Sequence, residues 1–173
     1  LNGKWPIGCE PCKIEEENGV KSKRQLDYIR WKSEYKNYDI SSENFLTASV
    51  AFGNTCNLKC ITCGAVPSSK WRKEAKDIYN KDIKSFLLKN INFAEEILKL
   101  IQKEAIHLDI PGGEPLISGV DEQKYILQAL IQGGRAKDIS IHYTTNATIF
   151  PDDTWWKLWS HFKEIDMQLS IDG

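Results

Sequence analysis

The sequence predicts an α/β fold built from parallel βαβ units, and three observations carry that expectation. Four short runs rich in β-branched and apolar residues, at 46–52, 105–110, 139–143 and 165–169, alternate with stretches of helical periodicity. Cap and stop residues bracket those helical stretches. Each run also leads directly into a loop of chemistry-bearing residues: three cysteines after the first, Gly112-Gly113-Glu114-Pro115 after the second, Thr144-Thr145-Asn146-Ala147-Thr148 after the third, and Ser170-Ile171-Asp172-Gly173 after the fourth. In a parallel sheet all strand carboxyl ends face the same way, so these loops are expected to share one mouth.

The connections follow the same logic. After the first strand an additional helical stretch at 69–88 carries Trp71, Ala75 and Ile78, then Ile83, Phe86 and Leu87. Asn92 is placed to cap the next helix, with Glu95 completing the cap and Phe93, Ile97, Leu100 and Ile101 as its apolar face. Between the second and third strands Asp121 is a candidate cap, Ile126, Leu127, Leu130 and Ile131 form the buried stripe, and Gly133-Gly134 ends the helix. Pro151-Asp152-Asp153 opens a helix whose Trp155, Leu158, Trp159 and Phe162 form a stripe suited to core packing. Residues 1–44 read differently. They are polar, lack a clear strand and hold a separate Cys9/Cys12 pair, so they are assigned to a second module and linker, with 45–173 as the main domain.

Composition narrows the function. With 23 basic against 24 acidic residues the net charge is −1, which supplies no polycation for nucleic acid. The acidic run at 15–17 and the basic run at 21–24 read as opposite stretches of a solvated segment. No apolar stretch approaches the roughly 20 residues of a membrane span, so a cytoplasmic protein is expected. The chain starts with Leu1 and stops at Gly173 directly after a strand-like run, so further sequence is expected on both sides. His107 and His142 within strands, and His161 on a helix, suit packing or surface roles.

Most of the information lies in Cys56, Cys60 and Cys63, spaced C-x3-C-x2-C. Three thiolates so close together suit a [4Fe–4S] cluster with one iron left open to an outside ligand. Zinc is the rival: Cys9/Cys12 and Cys60/Cys63 are both C-x2-C pairs and together offer a four-cysteine site. Their separation far exceeds the roughly 15–20 residues of a compact zinc ribbon. An odd count of five cysteines and the absence of a visible signal peptide argue against a disulfide framework.

The cysteine triad, the letter-for-letter GGEP turn and the order of the four loops together resemble the radical S-adenosylmethionine (radical SAM) superfamily over about residues 45–173. The resemblance implies a partial (β/α)6 TIM-like barrel, with four of six strands present and the fourth an open edge. It also implies that Cys56, Cys60 and Cys63 hold the cluster. Gly112, Gly113, Glu114 and Pro115 would receive the methionyl amine of S-adenosylmethionine. Asn146 would hold polar cofactor atoms or merely cap its loop, and the pair Ser170 and Asp172 would reach the sugar or amino-acid part of the cofactor. Two positions depart from the pattern: Ala147 stands where glycine is usual, and Thr62 stands where a larger, often aromatic residue helps to seat adenine.

The segment Trp5-Pro6-Ile7-Gly8-Cys9-Glu10-Pro11-Cys12 resembles the piece preceding the barrel in Twitch (SPASM-like) members of the superfamily, which implies that Cys9 and Cys12 are part of the ligand set of an auxiliary iron–sulfur cluster. Half of a zinc site or two free thiols are the alternatives. The implied reaction is reductive cleavage of S-adenosylmethionine to a 5′-deoxyadenosyl radical, which takes hydrogen from a substrate. The reductant would be flavodoxin or ferredoxin, and a peptide is the leading substrate class. Two other function classes stand beside this one: a four-cysteine zinc-binding interaction module, and a non-catalytic iron–sulfur electron-transfer domain.

Overall fold

A computed structural model describes residue 5 and residues 8–35, 45–80 and 91–171. The chain divides into two compact units, Leu1–Ser42 and Glu43–Gly173.

The described residues of the first unit form two helices. Helix α1 (Glu10–Glu17) has Pro11 in its first turn and Cys9 at its N-cap, where the missing proline N–H costs nothing. Helix α2 (Lys23–Tyr35) starts at Ser22, whose hydroxyl accepts the Gln25 N–H at 3.4 Å and donates to Glu16 at 2.5 Å. The run Ser22-Lys23-Arg24-Gln25 has the S-x-x-Q form of a capping box. Arg24 reaches the same Glu16 carboxylate at 2.5 Å. The acidic and basic runs, expected as opposite stretches of a solvated segment, meet in one ion pair in which Arg24 is half exposed. The hydrogen bond from Ser22, followed by Arg24, holds the Glu16 carboxyl below its ordinary value.

The second unit is a mixed α/β structure around a four-stranded parallel sheet in the order β1-β2-β3-β4. Its strands are β1 (Thr47–Ser49), β2 (His107–Ile110), β3 (Ser140–Thr145) and β4 (Glu164–Leu169). Sequential parallel neighbours require a crossover between each pair. Helix α3 (Arg72–Tyr79) and helix α4 (Ile91–Ile101) lie between β1 and β2, α5 (Val120–Gln132) between β2 and β3, and α6 (Asp153–Trp159) between β3 and β4. Among the described residues, β4 pairs with β3 and with no other strand.

Alternation along the strands separates two faces. Leu108, Ile110, Ile141 and Tyr143 are buried in one core with Ala94 and Ile101 of α4, Ile126, Leu127 and Leu130 of α5, and Trp155 and Trp159 of α6. Fully burying one such large apolar side chain contributes roughly 1.5–3 kcal/mol. The tryptophans are core residues, as expected: Trp159 donates to the Tyr143 hydroxyl at 3.3 Å, and the Trp155 and Trp159 rings lie 5.2 Å apart. Burial pushes the Tyr143 phenol well above its ordinary value.

Several boundaries differ from the sequence expectation. β1 covers only three of the residues at 46–52, and further along Gly53 and Thr55 pack against the Gly112-Gly113 turn that follows β2. Asn92 lies inside the first turn of α4 rather than capping it. The core-facing stripe of α4 is Ala94, Ile97, Leu98 and Ile101, while Phe93 and Leu100 sit on its shoulder. There they line a groove of about 420 Å³ with Phe45, Val50 and Ala51. Gly119, not Asp121, occupies the N-cap of α5. Asp121 in the first turn still faces the positive end of the helix dipole. The stretch at 69–88 begins with a 3-10 turn (Ser69–Trp71), runs on as α3 and stops at left-handed Asn80. Ile83, Phe86 and Leu87 lie outside the described residues. The helix start was read correctly at Asp152, whose carboxylate accepts the Thr154 and Trp155 N–H groups at 2.9 and 3.1 Å.

Candidate functional site

The loop after β1 carries Cys56, Cys60 and Cys63, partly exposed and outside any disulfide. Polar contacts hold its backbone on both sides. The Cys56 N–H donates to Ser69 Oγ at 3.3 Å, the Ser69 N–H to the Asn54 carbonyl at 2.7 Å, and buried Asn54 donates its amide to the Val66 carbonyl at 3.0 Å. The Trp71 indole N–H donates to the Cys60 carbonyl at 2.9 Å, and a turn brings the Cys63 N–H to that same carbonyl at 3.1 Å. Lys59, between the cysteines, pairs with Glu74 and stands 4.7 Å over the Trp71 ring. Its hydrogen bond to Glu74 keeps that carboxyl below its ordinary value. The side chains at the loop tip, Ile61 and Thr62, are exposed.

The GGEP turn packs directly against this loop. Added to Gly113, a Cβ would stand 2.1 Å from the Thr55 carbonyl oxygen; on Gly112, whose φ is +108°, it would stand 2.6 Å from that of Gly53. Glycine is required here because two backbones touch. The Thr55 carbonyl accepts the Glu114 N–H at 2.8 Å and the Ser118 hydroxyl at 2.9 Å, so the residue before Cys56 is fixed by the second loop. Gln123 of α5 anchors the turn from beneath, donating to the Pro115 and Ser118 carbonyls at 2.7 and 2.8 Å.

Glu114 is fully buried. Its carboxylate accepts the Thr145 hydroxyl at 2.8 and 3.0 Å, the Asn146 N–H at 2.9 Å and the Leu116 N–H at 3.2 Å. A simple turn with an exposed glutamate is thereby excluded. The side chain clamps the second loop to the third, so this carboxylate is engaged within the protein.

The third loop closes the constellation. Asn146 Oδ1 accepts the Thr148 N–H at 3.0 Å and the Thr148 hydroxyl at 2.6 Å. Its amide nitrogen donates to Asn57 Oδ1 at 2.9 Å and reaches Cys56 Sγ at 3.6 Å. Asn57 in turn donates to Thr148 Oγ1 at 2.7 Å. Ala147 has a φ of +59°, the left-handed region that glycine would occupy without strain. The Cβ there costs about 1–2 kcal/mol, yet the turn forms, held by the Ala147 N–H on Thr145 Oγ1 at 3.1 Å.

Of the other expected site residues, Ser170 is exposed just past β4, with its N–H on the Thr145 carbonyl at 2.8 Å. Asp172 lies outside the described residues. Cys9 and Cys12 are free, partly exposed thiols at the start of α1 in the first unit. Among the described residues, no group of three or more His, Cys, Asp or Glu side chains is placed to hold a metal ion.

Sequence reasoning missed Asn57, Ser118 and Gln123, ordinary polar residues whose roles come from loop partners, and placed Thr148 in the third loop without its bond from Asn57. It also missed a polar row across the sheet face opposite the core. Ser49, Asp109, His142 and Asp166 are successive register partners. Ser49 donates to Asp109 at 2.8 Å, and His142 Nδ1 lies 2.7 Å from Asp166. Strand alternation was the available signal.

Fold and site together define a parallel α/β protein with a thiol-bearing loop clamped at the carboxyl edge of its sheet. No protein-family model matches the sequence, and no curated protein matches it significantly.

Proposed function

We propose that residues 45–173 form the core of a radical SAM enzyme, arranged as part of a (β/α)6 barrel. In this reading Cys56, Cys60 and Cys63 hold a [4Fe–4S] cluster with one open iron. The observation that carries it is the convergence of the cysteine, GGEP and TNAT loops, through Thr55, Glu114 and Asn146, at one end of a parallel sheet. The donor chemistry suits such a group: three cysteines on one short loop, each partly exposed and outside any disulfide. A single zinc ion gathers its sulfurs at about 2.3 Å around one centre, whereas a cubane takes one thiolate per iron, and metal loading is coupled to ordering of the ligand loop. The chemistry this group supplies when bound is one-electron reductive cleavage of S-adenosylmethionine, leading to hydrogen abstraction from a substrate.

The chain's own residues position and enclose. Gly112 and Gly113 let the GGEP turn close onto the cysteine loop, its backbone carbonyls receive the methionyl amine, Ser170 and Asp172 serve polar cofactor atoms, and Pro115 with Gln123 keeps the turn rigid. The polar row from Ser49 to Asp166 faces the substrate, for which an organic molecule such as a peptide is proposed. Residues 1–44 are read as part of a Twitch-like module, with Cys9 and Cys12 contributing to an auxiliary iron–sulfur cluster. The electron donor is a flavodoxin or ferredoxin, and the setting is cytoplasmic. Among the described residues, no helix is long and apolar enough to cross a membrane.

The test is product release. The natural full-length protein, reconstituted anaerobically and given dithionite and S-adenosylmethionine, should yield 5′-deoxyadenosine by chromatography. A fully assembled cluster that yields none counts against the enzyme reading.

A further inference from the structure

Asn146 has every polar atom of its side chain engaged. Its orientation is fixed without reference to any ligand: Oδ1 must face Thr148, because the Thr148 backbone N–H at 3.0 Å can only donate. The amide nitrogen therefore points the other way, with one hydrogen for Asn57 Oδ1 at 2.9 Å and the second for Cys56 Sγ at 3.6 Å. The Asn146 backbone is held independently by its N–H on buried Glu114 at 2.9 Å. Neither the backbone nor the side chain of Asn146 needs to move to keep its hydrogen on sulfur.

We infer that Asn146 is a positioning residue that sets the reduction potential of the cluster through an N–H···S hydrogen bond to Cys56. The inference rests on the iron–sulfur reading above and departs from the expectation that Asn146 binds S-adenosylmethionine. Hydrogen bonds to ligand sulfurs tune iron–sulfur potentials, and outer partners orient the ligands they touch. Donation to sulfur stabilises negative charge, and the reduced cluster carries one more negative charge than the oxidised cluster. Removing the donor therefore lowers the potential and makes the cluster harder to reduce.

The experiment is a spectroelectrochemical titration of the reconstituted full-length protein, comparing Asn146→Ala with Thr148→Val. Asn146→Ala removes the donor to sulfur. Thr148→Val keeps that donor and the Thr148 N–H while deleting the hydroxyl that bridges Asn146 and Asn57. The expected result is a roughly tenfold lower ratio of reduced to oxidised cluster at fixed potential in Asn146→Ala, about 59 mV for one electron, with Thr148→Val unchanged. Should Asn146→Ala not fold, Asn146→Ser carries the same expectation, since serine can still accept the Thr148 N–H in a local turn but is too short to reach Cys56. An assembled cluster with the parent potential in the Asn146 variant, or equal shifts in both variants, overturns the inference while leaving the iron–sulfur reading intact. A parent protein that binds no iron overturns that reading, and the inference with it.

Discussion

Cys60→Ala is expected to fold and yet release no 5′-deoxyadenosine. The fold is expected to survive because the Cys60 backbone carbonyl accepts the Trp71 indole N–H at 2.9 Å and the Cys63 N–H at 3.1 Å, tying the loop together. Alanine keeps that carbonyl. The thiol itself is partly exposed, so its loss changes stability by no more than about 1 kcal/mol. The chemistry is lost because two thiolates cannot hold a cubane that needs three. Urea unfolding read beside product assay checks both halves: a near-parent midpoint with no product is the expected pair, and retained cleavage would overturn the ligand assignment.

Gly113→Ala is expected to damage the site from a distance. The new methyl would meet the Thr55 carbonyl oxygen at 2.1 Å, and the opposing group is backbone, not the tip of a flexible side chain. One of the two loops must move. Overpacking of this kind costs about 1–3 kcal/mol. Thr55 precedes Cys56, and its carbonyl also holds Glu114 and Ser118, so the shift displaces the first cysteine. Product release should fall at least about tenfold, in line with the loss of outer support at metal sites. Chemical denaturation and cluster absorbance check this; a parent-like protein would show that the two loops do not touch.

The parallel sheet and its loops were legible because strand runs, helix stripes and stop glycines agree with one another. Ile126, Leu127 and Leu130 are buried as their spacing predicts, and Gly133 closes α5. Helix phase was harder to read. Phe93 and Leu100 look as apolar as Ala94 and Leu98, and only the neighbouring sheet edge decides which pair faces the core. Helices α1 and α2 were missed because charge runs masked their caps at Cys9 and Ser22. At the site, the GGEP letters gave the position of Glu114 but not its burial against Thr145, which depends on a contact across 31 residues. The left-handed Ala147 was legible only as a departure from the family pattern.

Metal analysis of the natural full-length protein carrying Cys9→Ala and Cys12→Ala tests the central claim most directly, because only the loop after β1 then offers cysteines from this part of the chain. About four irons and four acid-labile sulfides per chain, with brown absorbance after anaerobic reconstitution, is the predicted result. Zinc in place of iron, or no bound metal, would contradict it.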